Sequence, residues 1–420
     1  MLQKVKLSPQ LLGDYKGVIP EEQYKSCQKI SRKLKGLKVA HINATAQGGG
    51  VAEILSSLVP LMNGVGMKAE WYVMPPPRDP AFFEVTKGMH NTLQGKPGNF
   101  LTEERRKIYI DHNRFTAKFM DDIKPDIWVV HDPQPLATID FLKEKKSKKV
   151  SRIHIDTSHP NKGTWNFIGP IAKKYDRSIF TMEEFVSPDF SKDKVKIFYP
   201  AIDSLSEKNR KMSASVAELI VENMGINITK PLVVQVARFD PWKDPIGVVD
   251  AFYKAKNKIP DLQLAFLGLM IASDDPEAMR VFKKVQRYAK GDPDIFLFAH
   301  LDQIKDYSIS TFVSAFQTSA DVIMAKSIRE GFGLVVTEAM WKGKPVIGGN
   351  VGGIKRQIVD GKSGFLVNSS DEAADRIVEL LQDPARNKKM GVAARRRVRE
   401  NFLMPRLLLD YLKLFEELVH

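Results

Sequence analysis

The chain has 420 residues, 43% of them hydrophobic and 27% charged, with a formal net charge of +14. That length exceeds what a single core fills, about 250 to 300 residues, so two domains are expected, and the composition excludes a disordered chain. No apolar run approaches the ~18 residues needed to cross a bilayer, and the single cysteine, Cys27, excludes an intrachain disulfide or a thiolate zinc site built from this chain alone.

The opening stretch MLQKVKLSPQLLGDYKGVIPEE has no continuous apolar segment of the secretory kind, which gives the expectation of a cytoplasmic protein. From residue 37 to about residue 385, short apolar runs alternate with longer helical patterns, the signature of parallel sheets wrapped by helices. The first half predicts strands at LKVAHINA, AEWYVMP, DIWVVHD, SRIHIDT and RSIFTM. The second predicts them at PLVVQVAR, LQLAFLG, DIFLFAH, ADVIMAK and PVIGGN. Between the two series, the polar, Ser-rich DSLSEKNRKMSAS (203–215) lacks a strand pattern and is expected to hold the join. The predicted domains are therefore 1–207 and 208–400. Residues 401–420 form a last helix whose apolar stripe would pack back on the first domain.

A charge of +14 raises a nucleic-acid-binding reading, because a basic surface concentrates phosphate-bearing partners. The lysines are scattered, however. KEKKSKK (143–149) is the one dense run and ARRRVRE (394–400) lies in a predicted helix, so both read as solvated faces. Clustered lysines with interleaved stacking aromatics are missing, so a basic nucleic-acid-binding protein stands as the rival reading from another class.

Ligands of open parallel sheets bind beyond the carboxyl ends of strands, where loops lead into helix N-termini. Four places fit. In AQGGGVAEIL, Gly48, Gly49 and Gly50 follow a strand and open a helix, letting the backbone approach a phosphate or sugar. The pattern is not G-x-G-x-x-G, so no nicotinamide cofactor is indicated. In VARFDPWKDP, Arg238 and Lys243 place two cations at a strand end, suited to a diphosphate.

REGFGLVVTEAM puts Glu330 in a turn with Gly331 and Gly333, and Glu338 in the second turn of the helix that follows. Carboxylates accept paired hydrogen bonds from vicinal hydroxyls, which suits a ribose or a sugar. GGNVGGI again allows close approach at Gly352 and Gly353. Two patterns are decoys: DGKSG fails as a phosphate loop because Arg356 replaces the first glycine, and DPD (292–294) reads as a turn.

EGFGLVVTEAMWKGKPVI resembles the E-x7-E signature of retaining GT-B glycosyltransferases, with Arg238 and Lys243 where such enzymes keep their phosphate cations. GGGVAEILSSLVPLM, FFEVTKGMHNTLQG, VVHDPQPL, HIDTSHPN and KYDRSIF extend the resemblance over nearly the whole chain, to the trehalose glycosyltransferring synthases of glycosyltransferase family 4. The resemblance implies a GT-B fold, two Rossmann-like doubly wound domains facing a central cleft. It also implies reversible transfer of glucose from a nucleoside diphosphate glucose to glucose, giving α,α-trehalose with retention.

The resemblance assigns Glu338 to the ribose and Glu330 to the donor sugar, with the N–H groups of Gly331, Phe332, Gly333 and Leu334 lining it. Arg238 and Lys243 would neutralise the departing diphosphate. Gly49 and Gly50 would lie across the cleft from it, and backbone near Leu301 would meet the base. Asp132 and Gln134 would face the acceptor. Relatives carry a histidine at the end of the strand corresponding to RIHIDT; the residue expected at that end here is Asp156, read as catalytic and acceptor-binding, with His159 three residues on.

No cofactor is required for the chemistry on this reading and no metal site is expected, although magnesium is compatible with it. Two carboxylates would ordinarily supply acid and nucleophile; same-face attack, with the leaving phosphate oxygen taking the acceptor proton, is expected instead, with double displacement as the alternative. The expected partners are small sugars and their nucleotides, with neither nucleic acid nor membrane, in a homodimer. The rival enzymes are family members with another acceptor and trehalose phosphorylases.

Overall fold

The computed structural model describes residues 2–47, 49–269, 276–304 and 306–420. It divides into two compact units, residues 1–201 with 404–420, and residues 202–403.

In the first unit, seven strands among the described residues form one sheet: β1 (Gln3–Lys4), β2 (Lys38–Asn43), β3 (Lys68–Val73), β4 (Ile127–His131), β5 (Lys148–Ile153), β6 (Arg177–Phe180) and β7 (Val195–Ile197). Their order is β1-β3-β2-β4-β5-β6-β7, parallel throughout except for β1, which runs antiparallel to β3. In the second unit, β8 (Leu232–Val236), β9 (Gln263–Leu267), β10 (Ile295–Phe298), β11 (Val322–Ala325), β12 (Val346–Gly349) and β13 (Gly364–Val367) form an all-parallel sheet ordered β10-β9-β8-β11-β12-β13. The ten expected strands are all present. β1, β7 and β13 are additional strands that the sequence reading does not include.

The central strands are buried on both faces, as parallel sheets covered by helices require. Every residue of β4 (IWVVH) and β9 (QLAFL) is buried. Each sheet reverses its strand order once. The chain moves from β2 outward to β3 and returns to place β4 on the other side of β2; in the second unit it moves from β8 through β9 to β10, then returns to place β11 beside β8. Such reversals splay the flanking loops apart and leave a crevice at the strand ends.

The segment expected to join the domains lies inside the second unit. Trp341 Nε1 donates to Asn209 O at 3.1 Å and Lys342 Nζ to Lys208 O at 2.7 Å, so this polar run is tied to the helix Leu334–Trp341, and Ser213 caps the helix Ala214–Asn223. The chain crosses between units near residues 201 and 403 instead, where Ile202 N–H bonds Phe402 O at 2.9 Å.

The last helix, Met404–Val419, is counted with the first unit and lies against helices Glu21–Lys33 and Gly49–Gly64. Leu407, Leu408, Leu412 and Phe415 form its buried stripe. Glu417 pairs with Arg177 at 2.6 Å and Lys196 at 2.7 Å. Cys27 is buried beneath it, its Sγ 3.5 Å from Pro405 O, and burial pushes the thiol up to about 12. Because Leu412 is wholly buried, Leu412→Ala is expected to cost about 2–5 kcal/mol. Urea unfolding monitored by circular dichroism checks this.

Candidate active site

The two loops at the switch point of the second sheet are those that follow β8 and β11. After β8, Gln235 donates its Nε2 to Lys243 O at 2.9 Å and folds the loop back on its own strand. Asp240 caps the short turn Pro241–Lys243 by accepting from Trp242 N–H at 2.9 Å. Asp244 sits at φ 47°, a left-handed conformation that aspartate tolerates, and caps the helix Pro245–Lys256 by accepting from Gly247 N–H at 3.1 Å. Lys326, 6% exposed, forms an ion pair with the Asp244 carboxylate. These contacts fix the backbone that carries Lys243. Arg238 projects outward, 73% exposed, with Asp240 3.5 Å away.

The loop after β11 meets this one directly: Ile328 N–H donates to Trp242 O at 2.9 Å, and Lys243 Nζ forms an ion pair with Glu330 Oε2. Ser327 Oγ lies 3.4 Å from the same oxygen. Gly333, at φ 82°, starts the helix Leu334–Trp341 without a side-chain cap, so the orphan amides of its first turn are available to an anion or hydroxyl.

Gly352 and Gly353 allow a close approach, but to protein. A Cβ on Gly352 would stand 1.7 Å from Glu330 O, and one on Gly353 would stand 2.4 Å from Phe332 Cα. Gly353 N–H donates to Gly331 O at 3.1 Å, and the buried Gln357 holds Phe332 O through Nε2 at 2.5 Å. The loop after β12 therefore braces the Glu330–Gly333 turn.

Glu338 is 1% exposed. Lys208 Nζ lies 2.5 Å from its Oε1 but off the direction of an aligned hydrogen bond, so the contact is a charge pair and Oε1 has no directed donor among the described residues. Lys342 stands nearby, and burial lowers it to about 8 against the opposing pull of Glu338. Leu301, 44% exposed, begins the turn Leu301–Ile304 beyond β10, two strands from the switch point.

In the first unit, the loops after β2 and β4 flank the switch point. Asn43, at the end of β2, accepts from Trp71 Nε1 at 2.8 Å and donates to Thr45 O at 2.7 Å. Gly49, at φ 79°, and Gly50 open the helix Gly49–Gly64 and are exposed; Gly48 lies outside the described residues.

After β4, Asp132 adopts φ 65° and its Oδ1 accepts from His154 N–H at 2.9 Å. Burial raises its carboxyl to about 6, against the lowering effects of that hydrogen bond and of Arg152. Tyr109 OH donates to Pro133 O at 2.7 Å and Asn113 Nδ2 to Gln134 O at 3.0 Å, which fixes the turn and leaves the Gln134 amide without a protein partner among the described residues.

One placement is corrected. β5 ends at Ile153, so the residue at the strand end is His154, not Asp156. Asp156 lies in the following turn, where its Oδ1 accepts from Ser158 N–H at 2.9 Å and Ser158 Oγ at 2.6 Å; His159 is exposed, its Nδ1 3.0 Å from Ser158 Oγ. His154 escaped the sequence reading because it lay within a run read as continuous strand. The available signal was polar residues in apolar strands: His41 and His131 are buried in β2 and β4, and His131 hydrogen-bonds His154. Lys326, Lys208 and Gln357 were missed as well, because their partners are distant in sequence.

Two crevice-forming parallel sheets, the second with a fixed cation–carboxylate pair beside an uncapped helix start, define a glycosyltransferase of the GT-B class. Residues 217–397 match the family model described as glycosyl transferases group 1, and residues 41–187 match the one described as trehalose synthase, N-terminal domain. The chain resembles an α,α-trehalose-phosphate synthase structure from Burkholderia xenovorans with a TM-score of 0.69 at 13% identity, covering 92% of this chain and 100% of that one. It is 46% identical to the trehalose synthase of Pyrococcus horikoshii over 97% of this chain and 96% of that protein. It is also 44% identical to that of Rubrobacter xylanophilus over the full length of both. The chain belongs to the trehalose synthase family.

Gly352→Ala is expected to displace the Glu330 carbonyl and lower turnover about 10²-fold, which steady-state kinetics measures. For Asp132 the sign follows from its folded value of about 6, raised above the unfolded value. The neutral form is favoured in the fold, and the burial penalty grows as pH rises from the unfolded value through about 6. Asp132→Asn is therefore expected to raise the melting temperature more at pH 7 than at about pH 4, as differential scanning calorimetry would read.

Proposed function

We propose that this glycosyltransferase moves glucose from a nucleoside diphosphate glucose to the anomeric hydroxyl of glucose, forming α,α-trehalose with retention. The observation that carries this reading is the Lys243–Glu330 pair at the β8/β11 switch point. With no substrate, each charge is balanced by the other. A diphosphate arriving beside Lys243 takes over the cation, and the Glu330 carboxylate turns to the hydroxyls of the attached sugar. The pair thus couples recognition of the two halves of the donor.

Arg238 closes on the diphosphate from its exposed position, and the two cations stabilise the charge that grows on the leaving group. The amides from Gly331 to Leu334 face the donor, and the Leu301 turn faces the base. Glu338 holds the ribose hydroxyls, for which they must displace or share Lys208, its partner in the unliganded protein. Gly49 and Gly50 face the diphosphate of the donor, and Asp132, Gln134 and the Asp156–His159 turn serve the acceptor side. The leaving phosphate oxygen accepts the acceptor proton during same-face attack, so no protein nucleophile is called for and the chemistry needs no metal. We read the enzyme as a cytoplasmic homodimer of family 4; among the described residues no helix is long and apolar enough to cross a membrane.

The experiment is incubation with UDP-, ADP- or GDP-glucose plus glucose, followed by identification of the disaccharide and its anomeric linkage. α,α-Trehalose is expected, and a different disaccharide, or none with any donor, overturns the reading. Glu330→Gln and Lys243→Ala are expected to lower kcat about 10²- to 10³-fold, whereas Glu338→Ala raises KM for the nucleotide sugar. Unchanged kinetics in all three would remove these assignments.

A further inference from the structure

Three imidazoles cross the first sheet in a line. His41 in β2, His131 in β4 and His154 just past β5 come from adjacent strands and are joined by two hydrogen bonds. His41 Nδ1 lies 3.0 Å from His131 Nε2, and His131 Nδ1 lies 3.1 Å from His154 Nε2. His41 and His131 are 0% and 1% exposed, whereas His154 is half-buried at the carboxyl edge of the sheet. The inner end is closed: His41 Nε2 is buried without a hydrogen-bond partner, with the edge of the Tyr411 ring nearby. The outer end is open, and His154 Nδ1 has no protein partner among the described residues.

A bond between two imidazoles needs one N–H and one bare nitrogen, so a neutral chain has two settings. If every ring carries its proton on Nδ1, the chain leaves a bare Nε2 at the buried end and an N–H at the open end. If every ring carries it on Nε2, it leaves a buried N–H with nothing to accept it. Orphaned buried donors are the rarer and costlier defect, which selects the first setting. A charged ring is disfavoured as well, since Arg152, in register with His131 and 2% exposed, already places a cation beside the chain.

We propose that His41 and His131 are positioning residues that lock His154 as the Nδ1–H tautomer. It then presents a hydrogen-bond donor, and never an acceptor, to an oxygen of the sugar bound at this edge. The part played by the sugar rests on the function proposed above. Orientation of a histidine by the bond its second nitrogen makes is a general device; here the orienting group is a second imidazole, itself oriented by a third.

Nitrogen-15 NMR of the full-length protein labelled at histidine tests this, with resonances assigned through single substitutions. The expected result is three neutral rings, each protonated on Nδ1. A His154 protonated on Nε2, or charged at neutral pH, overturns the proposal.

The near-isosteric pair His131→Asn and His131→Asp separates positioning from packing. The asparagine amide can donate to His154 Nε2 and keep its tautomer, whereas an aspartate kept ionised by the adjacent Arg152 can only accept and would draw the proton to Nε2. With UDP-glucose and glucose as substrates, kcat of the Asp variant is expected to fall about tenfold or more below that of the Asn variant, alongside the tautomer change. A tautomer change with equal kcat in the two variants overturns the role of the donor. If the Asp variant does not fold, the wild-type spectrum decides alone. If the wild-type enzyme makes no trehalose, the proposed function fails while the tautomer assignment is still read from the spectrum.

Discussion

The single reversal of strand order in each parallel sheet is the constraint on which the site depends. Helices that follow strands on the two sides of the reversal go to opposite faces of the sheet, so their entry loops diverge and leave backbone amides and side chains facing a shared space. In the second unit those loops carry Lys243 and Glu330, 87 residues apart in sequence and in direct contact in the fold. In the first unit they carry the glycines at the start of helix Gly49–Gly64 and the turn from Asp132 to Gln134.

Charge inside the second unit is organised as local pairs: Lys326 with Asp244, Lys243 with Glu330, Lys208 with Glu338. A half-buried charge without a partner is costly, so the unliganded protein supplies one for each. On the function proposed above, the phosphates and hydroxyls of the donor replace the partners of Lys243, Glu330 and Glu338 without leaving a charge stranded. The first unit takes the other solution. Its central strands bury imidazoles that hydrogen-bond one another, and burial lowers His41 to about 3 and His131 well below the ordinary range, which disfavours charge on the rings.

Glycines in this protein serve two different ends that look alike in sequence. Gly49 and Gly333 take left-handed conformations at helix starts, where an added Cβ on Gly49 meets nothing. Gly352 and Gly353 instead make room for the carbonyl and backbone of the Glu330–Phe332 turn, so they act on the site through the loop they support.

The sequence by itself determined the alternation of strand and helix, because a strand buried on both faces must be a short apolar run and a covering helix must show a 3.6-residue period. It also pointed to the loops after β8 and β11, through Lys243 and Glu330 just beyond apolar runs, as the candidate site. The tertiary structure alone decided which charges meet. Lys243 with Glu330, Lys208 with Glu338 and the line of His41, His131 and His154 join residues tens to more than a hundred positions apart, and only strand order and register bring them together. It also decided where β5 stops and that the polar run after residue 202 belongs to the second unit, because both are set by hydrogen bonds to distant partners that no local pattern records.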